Sequence, residues 1–346
     1  MKIGNYKLSK NNKPFLIAEI SANHGGSLSL AKEHIIAAKE SGADAVKIQT
    51  YTADTMTINL KKKDFFIRTG RWKGQSLYSL YKKAETPFEW HTELFEYAKK
   101  NKVLIFSTPF DETAVDLLQE LKTPAYKIAS FELTDIPLLK YISKTKKPTL
   151  ISTGMSTKKE VEDSLSVFKN YPKQNILLFH CISEYPANFG SSNLGMINLL
   201  KKFGTLVGLS DHTIGNEASI VATTLGVSAI EKHFTLSRSN KSEDNSFSTE
   251  PKEFSDLSKV IRDVFNNIKT KKWVRNKDEE NNKTFRRSIY FTKDAKKGEK
   301  ISRENIRRIR PGMGMKPEYF ESLLGKKLIR DVKPGERVKK KYFKSE

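Results

Sequence analysis

Eight short apolar or β-branched segments, each followed by a longer segment of helical period, constrain the fold of this chain more than any other feature. They predict strands at residues 15–20, 43–49, 103–107, 125–129, 149–152, 176–181, 206–209 and 229–233. The helical segments begin near Ser27, Pro87, Glu112, Ile136, Lys158, Leu194, Asn216 and Glu253. Strands that alternate with helices indicate a parallel sheet covered by helices. Eight such units over about 265 residues predict an α/β fold of the closed (β/α)₈ barrel type.

An open, doubly wound sheet is the alternative architecture for such a pattern. No G-x-G-x-x-G follows the first predicted strand, and no G-x-x-x-x-G-K-[ST] occurs in the sequence. These motifs carry the phosphate-binding turns of the common open-sheet folds. Their absence favours the closed barrel.

The chain has 346 residues, which is long enough for a barrel and a small second domain. Residues 1–268 contain the eight units, and residues 269–285 are highly polar and predict a linker. Residues 286–346 contain short apolar runs and two turns, at 297–299 and 334–336, and predict a small β-rich domain.

The net charge of +22 is compatible with several anionic partners, because a positive field concentrates any anion. The lysines are spread over helical and connecting stretches without interleaved aromatic residues, so we expect a solvated surface and no nucleic-acid site. The single cysteine, Cys181, excludes an intramolecular disulfide. No apolar run approaches the ~18 residues of a membrane span, and residues 1–13 lack a signal-like apolar region. We expect a cytoplasmic protein that does not bind membranes.

Polar side chains that are rare inside strands occur at each predicted strand end. They are Glu19 with Asn23-His24, Lys47 with Gln49, Ser107-Thr108, Lys127 with Ser130 and Glu132, Ser152-Thr153-Gly154, His180 with Ser183 and Tyr185, Ser210-Asp211-His212, and Glu231 with His233. Active sites of barrel enzymes lie at these ends. Buried Lys47 and Lys127 would be costly without anions beside them, which predicts a bound phosphate or carboxylate.

Two histidines at neighbouring strand ends suggest a metal site. His212 and His233 lie at the ends of strands seven and eight, and Glu19 on strand one is adjacent to strand eight across the closure of the barrel. Imidazole with carboxylate or water suits Mn²⁺, Zn²⁺ or Co²⁺, whereas an all-oxygen Mg²⁺ site would not use histidine.

The connection at residues 50–86 is too long for a simple loop of a barrel and carries clustered aromatic and basic residues. Loops of this length in compact domains are usually lids or binding loops. We expect it to cover the site.

Seven motifs resemble, in order, those of the sialic acid synthase (NeuB-like) family. They are Ala18-Glu19-Ile20-x-x-Asn23-His24-x-Gly26, Val46-Lys47-x-Gln49, Ser107-Thr108-Pro109-Phe110, Ala125-Tyr126-Lys127-Ile128-x-Ser130, Ser152-Thr153-Gly154-Met155, Gly208-Leu209-Ser210-Asp211-His212-Thr213 and Glu231-Lys232-His233-Phe234-Thr235. The C-terminal region, with Arg310-Pro311-Gly312, is similar to the family's antifreeze-protein-like (SAF) domain. The resemblance therefore covers the whole chain.

The resemblance implies a transferase that condenses phosphoenolpyruvate with an amino sugar and releases phosphate. It implies that Lys47, Lys127, Ser130, Ser152 and Ser210 hold the phosphate and the carboxylate, and that His212 and His233 hold a divalent cation, Mn²⁺ first, with Mg²⁺ or Co²⁺ as alternatives. Glu19, Glu132 and Asp244 are the candidates for proton transfer and for orienting the sugar hydroxyls, and the choice of the base among them stays open. The remaining expected substrate contacts are Gln49, Thr108, Phe110, Ser183 and Tyr185.

Within the family, residues 72–91 and 233–251 look more like the pseudaminic acid synthases than the N-acetylneuraminate synthases. That branch uses 6-deoxy-AltdiNAc, a 2,4-diacetamido-2,4,6-trideoxy hexose. Two alternatives are an N-acetylneuraminate synthase and a legionaminate synthase. Ser242-Glu243-Asp244 departs from the Gly-Pro that relatives carry before the aspartate. The family also implies a domain-swapped homodimer in which Arg310 reaches the partner's sugar site.

Two other functional classes remain open from the residues alone. In a class I aldolase or lyase, Lys127 would form a Schiff base with a keto acid and no metal would be needed. A basic polyanion-binding protein would use the C-terminal domain, and its binding would depend steeply on salt.

Overall fold

Eight parallel strands close into a barrel, as predicted. The computed structural model describes residues 1–270 and 272–343. The barrel strands are β1 (Phe15–Glu19), β2 (Ala45–Thr50), β3 (Ile105–Pro109), β4 (Tyr126–Ile128), β5 (Thr149–Ser152), β6 (Ile176–Cys181), β7 (Leu206–Asp211) and β8 (Ala229–His233). The predicted (β/α)₈ architecture is confirmed.

Strand β8 pairs with β7 on one side and with β1 on the other, which closes the ring and sets His233 beside Glu19. Several strand ends differ from the predicted ones by one or two residues. Strand β1 ends at Glu19 because the chain turns into a 3₁₀-helix at Ser21–His24. Strand β3 begins at Ile105 because its pairing with β2 starts there, opposite Val46.

Each barrel strand is followed by a helix that packs on the outside. The helices are α1 (Leu28–Glu40), α2 (Phe88–Lys100), α3 (Glu112–Glu120), α4 (Ile136–Lys144), α5 (Lys158–Val167), α6 (Met196–Leu200), α7 (Glu217–Thr224) and α8 (Pro251–Asn267). Local capping sets several starts: the Ser27 side chain accepts the Leu30 N–H, and Thr157 forms a capping box with Glu160. None of the helices in residues 1–270 and 272–343 is long and apolar enough to cross a bilayer.

Two apolar layers stabilise the barrel. Between strands and helices, side chains such as Leu16 of β1 and Ile35 of α1 form the larger core. Inside the barrel, alternate residues such as Phe15 and Phe179 fill the amino-terminal half. Gly208 on β7 makes room for this filling, because a Cβ there would lie 2.5 Å from the Phe179 ring. Polar side chains are therefore confined to the carboxyl end.

The amino end of the barrel is covered by the N-terminal segment. Lys2–Ile3 and Tyr6–Lys7 form a short antiparallel hairpin. Its apolar side chains Met1, Ile3 and Leu8 join the interior cluster of the barrel. The hairpin extends the apolar filling at this end and leaves the opposite end for the site.

Residues 51–87, which we call the insertion, connect β2 to α2. The insertion contains the short helices Ala53–Met56 and Leu77–Ala84, and a bridge between Phe66 and Ser76 closes the loop between them. The Glu85 carboxylate accepts the N–H of Ala53 at 2.8 Å. The insertion is thus a folded element, held by its own hydrogen bonds.

The second unit of the chain begins at Thr270. Strands β9 (Ser288–Phe291) and β10 (Ile306–Ile309) pair in an antiparallel ladder. Isolated bridges and the short helix Phe320–Leu323 complete a small domain with its own apolar core, which includes Ile289, Phe291 and Phe320. The stretch predicted as a linker contains a helix at Lys277–Asn281. Three acidic residues in its first turn favour that helix, because they interact with the positive end of its dipole.

Candidate active site

Side chains alternate between the two faces of a strand, and at the carboxyl end of the barrel the inward-facing side chains are polar. On β1, Phe15 and Ile17 belong to the interior cluster, and the same parity carries Glu19 inward. On β8, Glu231 and His233 lie on one face, two residues apart. The same alternation therefore places apolar side chains inside the amino end of the barrel and the polar side chains of the site inside its carboxyl end.

These side chains surround a cavity of about 50 Å³, which we call the inner chamber. The predicted site residues on its wall are Glu19, Lys47, Gln49, Thr108, Lys127, Ser130, Ser152, Tyr185, Ser210, His212 and His233. Ala129, Cys181 and Glu231 complete the wall. Eleven of the sixteen predicted site residues thus meet at one place.

Two lysines and two glutamates form a buried ion cluster in the inner chamber. The Lys47 Nζ lies 2.6 Å from Glu19 Oε2 and 3.8 Å from Glu231 Oε2. The Lys127 Nζ lies 3.3 Å from Glu231 Oε1, which connects β4 to β8 across the barrel. All four side chains are at most 5% exposed. Lys47 also donates a hydrogen bond to Thr108 Oγ1 at 3.1 Å.

This ion cluster contradicts one expectation from the sequence. We expected Lys47 and Lys127 to need a bound anion, but Glu19 and Glu231 provide the opposite charges within the protein. Burial would raise the pKa of Glu231, yet Lys127 and Lys47 lower it to about 2. The chamber therefore has balanced charge without a ligand, and anion binding must be supported on other grounds.

Glu231 is the residue of this cluster to which the motif comparison assigned no role. It also accepts a hydrogen bond from Ser210 Oγ at 3.0 Å. Glu231 lies two residues before His233 on β8, and residues two apart in a strand share a face, so this spacing predicts that Glu231 points inward. Sequence alone does not reveal that it meets Lys127, because the two lie 104 residues apart.

His212 and His233 lie next to each other on the wall of the inner chamber, with ring centroids 5.4 Å apart. The Nδ1 of His212 lies 2.7 Å from the Ile182 carbonyl oxygen, which fixes the proton there and leaves Nε2 with its lone pair. The Nδ1 of His233 is buried without a hydrogen-bond partner among the described residues. Burial lowers the pKa of His212 to about 4 and also lowers that of His233.

Two neutral imidazoles with free nitrogens fit a divalent transition metal, which binds deprotonated nitrogen. Within residues 1–270 and 272–343, no cluster of three or more histidine, cysteine, aspartate or glutamate side chains is arranged as a complete ligand set. The two histidines thus fit a metal whose other positions are taken by water or substrate. Glu19, considered as a third ligand, is instead paired with Lys47.

Outward-facing neighbours brace the two histidines. The Lys232 Nζ lies 2.9 Å from Asp211 Oδ2 and donates to the Thr213 carbonyl at 2.7 Å. Asp211 also accepts hydrogen bonds from Thr213 and Ser219. Because Asp211 precedes His212 and Lys232 precedes His233, this buried pair joins the two strand ends that carry the imidazoles.

The rim of the inner chamber is crowded around Gly154. The Gly154 N–H donates to Ser130 Oγ at 3.1 Å. A Cβ at this position would lie 2.9 Å from Ser130 Oγ and 3.0 Å from Cys181 Sγ, and would also clash with Ser183. A glycine is therefore required for these side chains to approach one another here.

A larger cavity of about 850 Å³, the outer chamber, adjoins the inner chamber. Gln49, Ala129, Tyr185 and His233 line both. The predicted site residues Phe110, Glu132, Ser183 and Asp244 line the outer chamber, and the insertion supplies much of its remaining wall. The expectation that residues 50–86 cover the site agrees with this arrangement.

Tyr185 stands at the junction of the two chambers. Its ring lies 4.3 Å from that of His212 and 5.8 Å from that of His233, measured between centroids. Burial raises the pKa of its phenol. Tyr185 therefore stays protonated and can donate a hydrogen bond at the point where the chambers meet.

Asp244 is held over the outer chamber by the loop after β8. Its Oδ2 accepts the N–H of Ala22 at 3.5 Å. The departure from Gly-Pro at this point has a structural effect, because Ser242 donates its hydroxyl hydrogen bond to Asn23 Oδ1 at 2.8 Å. Burial raises the pKa of Asp244, and the Ser21 hydroxyl partly offsets the rise.

Glu132 has the pKa best suited to proton transfer near neutrality. Burial raises its pKa to about 7, Asp135 adds to the rise, and the backbone and Lys127 oppose it. Its Oε2 is buried without a hydrogen-bond partner among the described residues. A carboxyl group of this kind exchanges protons readily at physiological pH.

We expect Glu132→Gln to stabilise the protein above neutral pH. The native pKa lies above the unfolded value, so wild-type stability falls as the pH rises from about 4.5 through about 7. Glutamine removes that loss, and the gain should be on the order of 2 kcal/mol at pH 8 and near zero at pH 4.5. Urea unfolding at both pH values measures it. Glu120→Gln, at the exposed end of α3, controls for the chemical change, and an equal gain at both pH values would contradict the expectation.

Arg310 is the predicted site residue that belongs to the second unit of the chain. It follows β10 in the second unit and is exposed. Its neighbour Arg308 lies over the Phe320 ring at 5.0 Å. Arg310 makes no ion pair within the described residues, so its guanidinium is available to an external group.

Comparison with known proteins matches both units of the chain. Residues 34–272 match the NeuB family, and residues 286–343 match the SAF domain. A pseudaminic acid synthase of Campylobacter jejuni is 44% identical over 94% of this chain and 95% of its own length. An N,N'-diacetyllegionaminic acid synthase of the same organism is 40% identical over 91% of this chain and 95% of its own length.

A solved structure agrees with the fold. The N-acetylneuraminic acid synthetase of Leptospira borgpetersenii, in complex with citrate, superposes with a TM-score of 0.72 at 32% identity. The match covers 81% of this chain and 94% of that one. With the ion cluster and the paired histidines at the mouth of a barrel, these similarities establish that the chain is an enzyme of the NeuB family.

Proposed function

We propose that this enzyme is a pseudaminic acid synthase, which condenses phosphoenolpyruvate with a 2,4-diacetamido-2,4,6-trideoxy hexose. The observation that carries the proposal is that two chambers with different sizes and linings meet. The small inner chamber contains lysines and serines, and the large outer chamber is lined by the insertion. A small anion and a sugar can thus meet beside Tyr185 and His233. The 44% and 40% identities favour the pseudaminic over the legionaminic branch.

In the proposed reaction, C3 of phosphoenolpyruvate bonds to the aldehyde carbon of the open-chain sugar. The aldehyde oxygen takes up a proton and becomes a hydroxyl. Water adds at C2, and inorganic phosphate leaves with cleavage of the C–O bond. The electrons and atoms balance without an oxidant, and the product is a nonulosonic acid.

The inner chamber supplies groups for the anionic substrate. Lys47 and Lys127 with the hydroxyls of Ser130, Ser152 and Ser210 are proposed to hold the phosphate and the carboxylate. Charge-assisted hydrogen bonds from ammonium groups are the stronger kind for such ligands. Thr108 accepts from Lys47 and thereby orients it.

A divalent cation is proposed on His212 and His233, with Mn²⁺ the best fit to imidazole and oxygen ligands and Mg²⁺ or Co²⁺ as alternatives. When bound, it would act as a Lewis acid on the aldehyde oxygen. Its charge would also offset that of phosphoenolpyruvate in a chamber whose own charges are balanced.

Three carboxyl groups are candidates for proton transfer. Glu132, with its pKa of about 7, is best suited to give and receive a proton at neutral pH. Asp244 lies on the outer chamber, where it can accept hydrogen bonds from sugar hydroxyls. Glu19 pairs with Lys47, which favours an orienting role over proton transfer.

Arg310 and the dimer complete the proposal. The C-terminal domain is proposed to exchange across a homodimer, so that Arg310 approaches the sugar site of the partner. The exposed guanidinium, without an ion pair in the described residues, supports this role. The substrate phosphoenolpyruvate is an intracellular metabolite, which fits a cytoplasmic enzyme.

One observation favours a class I aldolase as the competing function, because burial lowers the pKa of the Lys127 amine. Sodium borohydride with pyruvate distinguishes the two. The proposal predicts that no pyruvate becomes attached to the protein, and that turnover is lost with a chelator and regained with Mn²⁺. Covalent trapping on Lys127, seen as a mass increase of the intact chain, would support the aldolase.

A further inference from the structure

Trp72 occupies an unusual position on the wall of the outer chamber. It lies in the insertion and lines the cavity together with Ile67, Leu77 and Leu80 of the same segment. The indole Nε1 is buried, and it has no hydrogen-bond partner in residues 1–270 and 272–343. The indole N–H can only donate.

A buried donor without an acceptor costs free energy, so such groups need a specific explanation. Gln75, three residues further along, has a buried Oε1 that also lacks a partner among the described residues, but Gln75 does not line the chamber. Trp72 therefore lines the chamber with a side chain whose buried N–H has no acceptor in the described part of the protein. A ligand that binds against this wall can supply the acceptor.

Two other donors around this chamber are already engaged by the protein. Gln49 Nε2 donates to Glu19 Oε1 and to Ser21 Oγ, both at 2.9 Å. Arg71 donates to Ser246 on the loop after β8, which ties the insertion to that loop. Ser183 and Tyr185 also line the outer chamber, and their hydroxyls are further donors on its wall.

We infer that Trp72 recognises an acetamido group of the sugar by donating its indole N–H to the acetamido carbonyl oxygen. The apolar side chains beside it would receive the acetamido methyl group, because apolar surface is buried favourably there. Carboxyl groups such as Glu132 and Asp244 match hydroxyl and amide donors of the sugar, whereas a carbonyl needs a donor. This inference rests on the proposed function and names a specificity-determining residue within it.

Trp72→Phe tests the inference, because phenylalanine keeps an aromatic ring and removes the N–H. We expect the KM for the 2,4-diacetamido sugar to rise about tenfold, with the KM for phosphoenolpyruvate unchanged. Trp273→Phe makes the same change at a side chain that is 89% exposed, and is the matched control. A Trp72→Phe enzyme with the KM of this control would overturn the inference.

Two monoacetylated analogues, in which one acetamido group or the other is a free amine, make the test specific. For the analogue that lacks the recognised carbonyl, wild type and Trp72→Phe should have equal KM values, because the contact is missing in both. A penalty of the same size with the parent sugar and both analogues would show a general effect on the chamber and contradict the inference. Wild-type turnover of the parent sugar is measured first. Its absence would reject the proposed function and this inference together, whereas normal turnover with an unaffected variant would reject the inference alone.

Discussion

His212→Ala should lower turnover at least about a thousandfold while leaving the barrel folded. A metal that stabilises charge in the transition state contributes several kcal/mol, and each 1.36 kcal/mol is about a factor of ten in rate. His212 meets His233 at the inner chamber, and its Nε2 is directed toward Ser210 at 3.4 Å. Phosphate release from phosphoenolpyruvate in the presence of Mn²⁺ measures the loss, and calorimetric titration of the apo-protein with Mn²⁺ should show weaker binding.

His180→Ala is the matched control for this change. His180 also lies at a strand end, but its Nε2 contacts the Ser192 carbonyl at 2.7 Å and it lines neither chamber. Its variant should keep Mn²⁺ affinity and most of the turnover. Normal Mn²⁺ binding and turnover in His212→Ala would refute the metal assignment.

Lys47→Met should lower the free energy of unfolding by about 3–5 kcal/mol, because it leaves a buried carboxylate without its partner. The Lys47–Glu19 pair is 2.6 Å long, and the two side chains are 4% and 1% exposed. The double variant Lys47→Met with Glu19→Gln should recover most of this stability, since it removes both charges. Both variants should be inactive, because the ammonium is proposed to bind the anionic substrate.

Lys82→Met is the comparison variant, because it removes the lysine of a surface ion pair that has the same length. Lys82 pairs with Glu85 at 2.6 Å, but the lysine side chain is 64% exposed. Loss of an exposed pair should change the free energy of unfolding little, because water screens the attraction between its charges. Urea unfolding of all the variants gives the free energies. Equal, small losses for Lys47→Met and Lys82→Met would contradict the view that the inner chamber is a buried ion cluster.

Sequence reasoning predicted the barrel well because its signals are local. Each strand is a short apolar segment, and several helices have their own cap, such as Thr157 with Glu160. Closure brought His233 beside Glu19, as the strand count implied. The same count placed His212 and His233 on neighbouring strands.

Other features depend on contacts that no local pattern encodes. The partner of Lys127 is Glu231, which reaches it from across the barrel, so the expected need for a bound anion was wrong. The position of Trp72 follows from the folding of the insertion, which contains neither strand nor helix over most of its length. Its free indole N–H became visible only when the hydrogen bonds of the chamber were known.

The identity of the sugar is the central claim, and comparing sugars in one phosphate-release assay tests it most directly. The wild-type chain, with Mn²⁺ and phosphoenolpyruvate, is supplied with 2,4-diacetamido-2,4,6-trideoxy hexoses or with N-acetylmannosamine. We predict phosphate release that requires the sugar and a kcat/KM that is highest for the diacetamido hexose with the altro configuration. A higher kcat/KM for N-acetylmannosamine or for the epimer used by legionaminate synthases, or phosphate release without any sugar, would contradict the account.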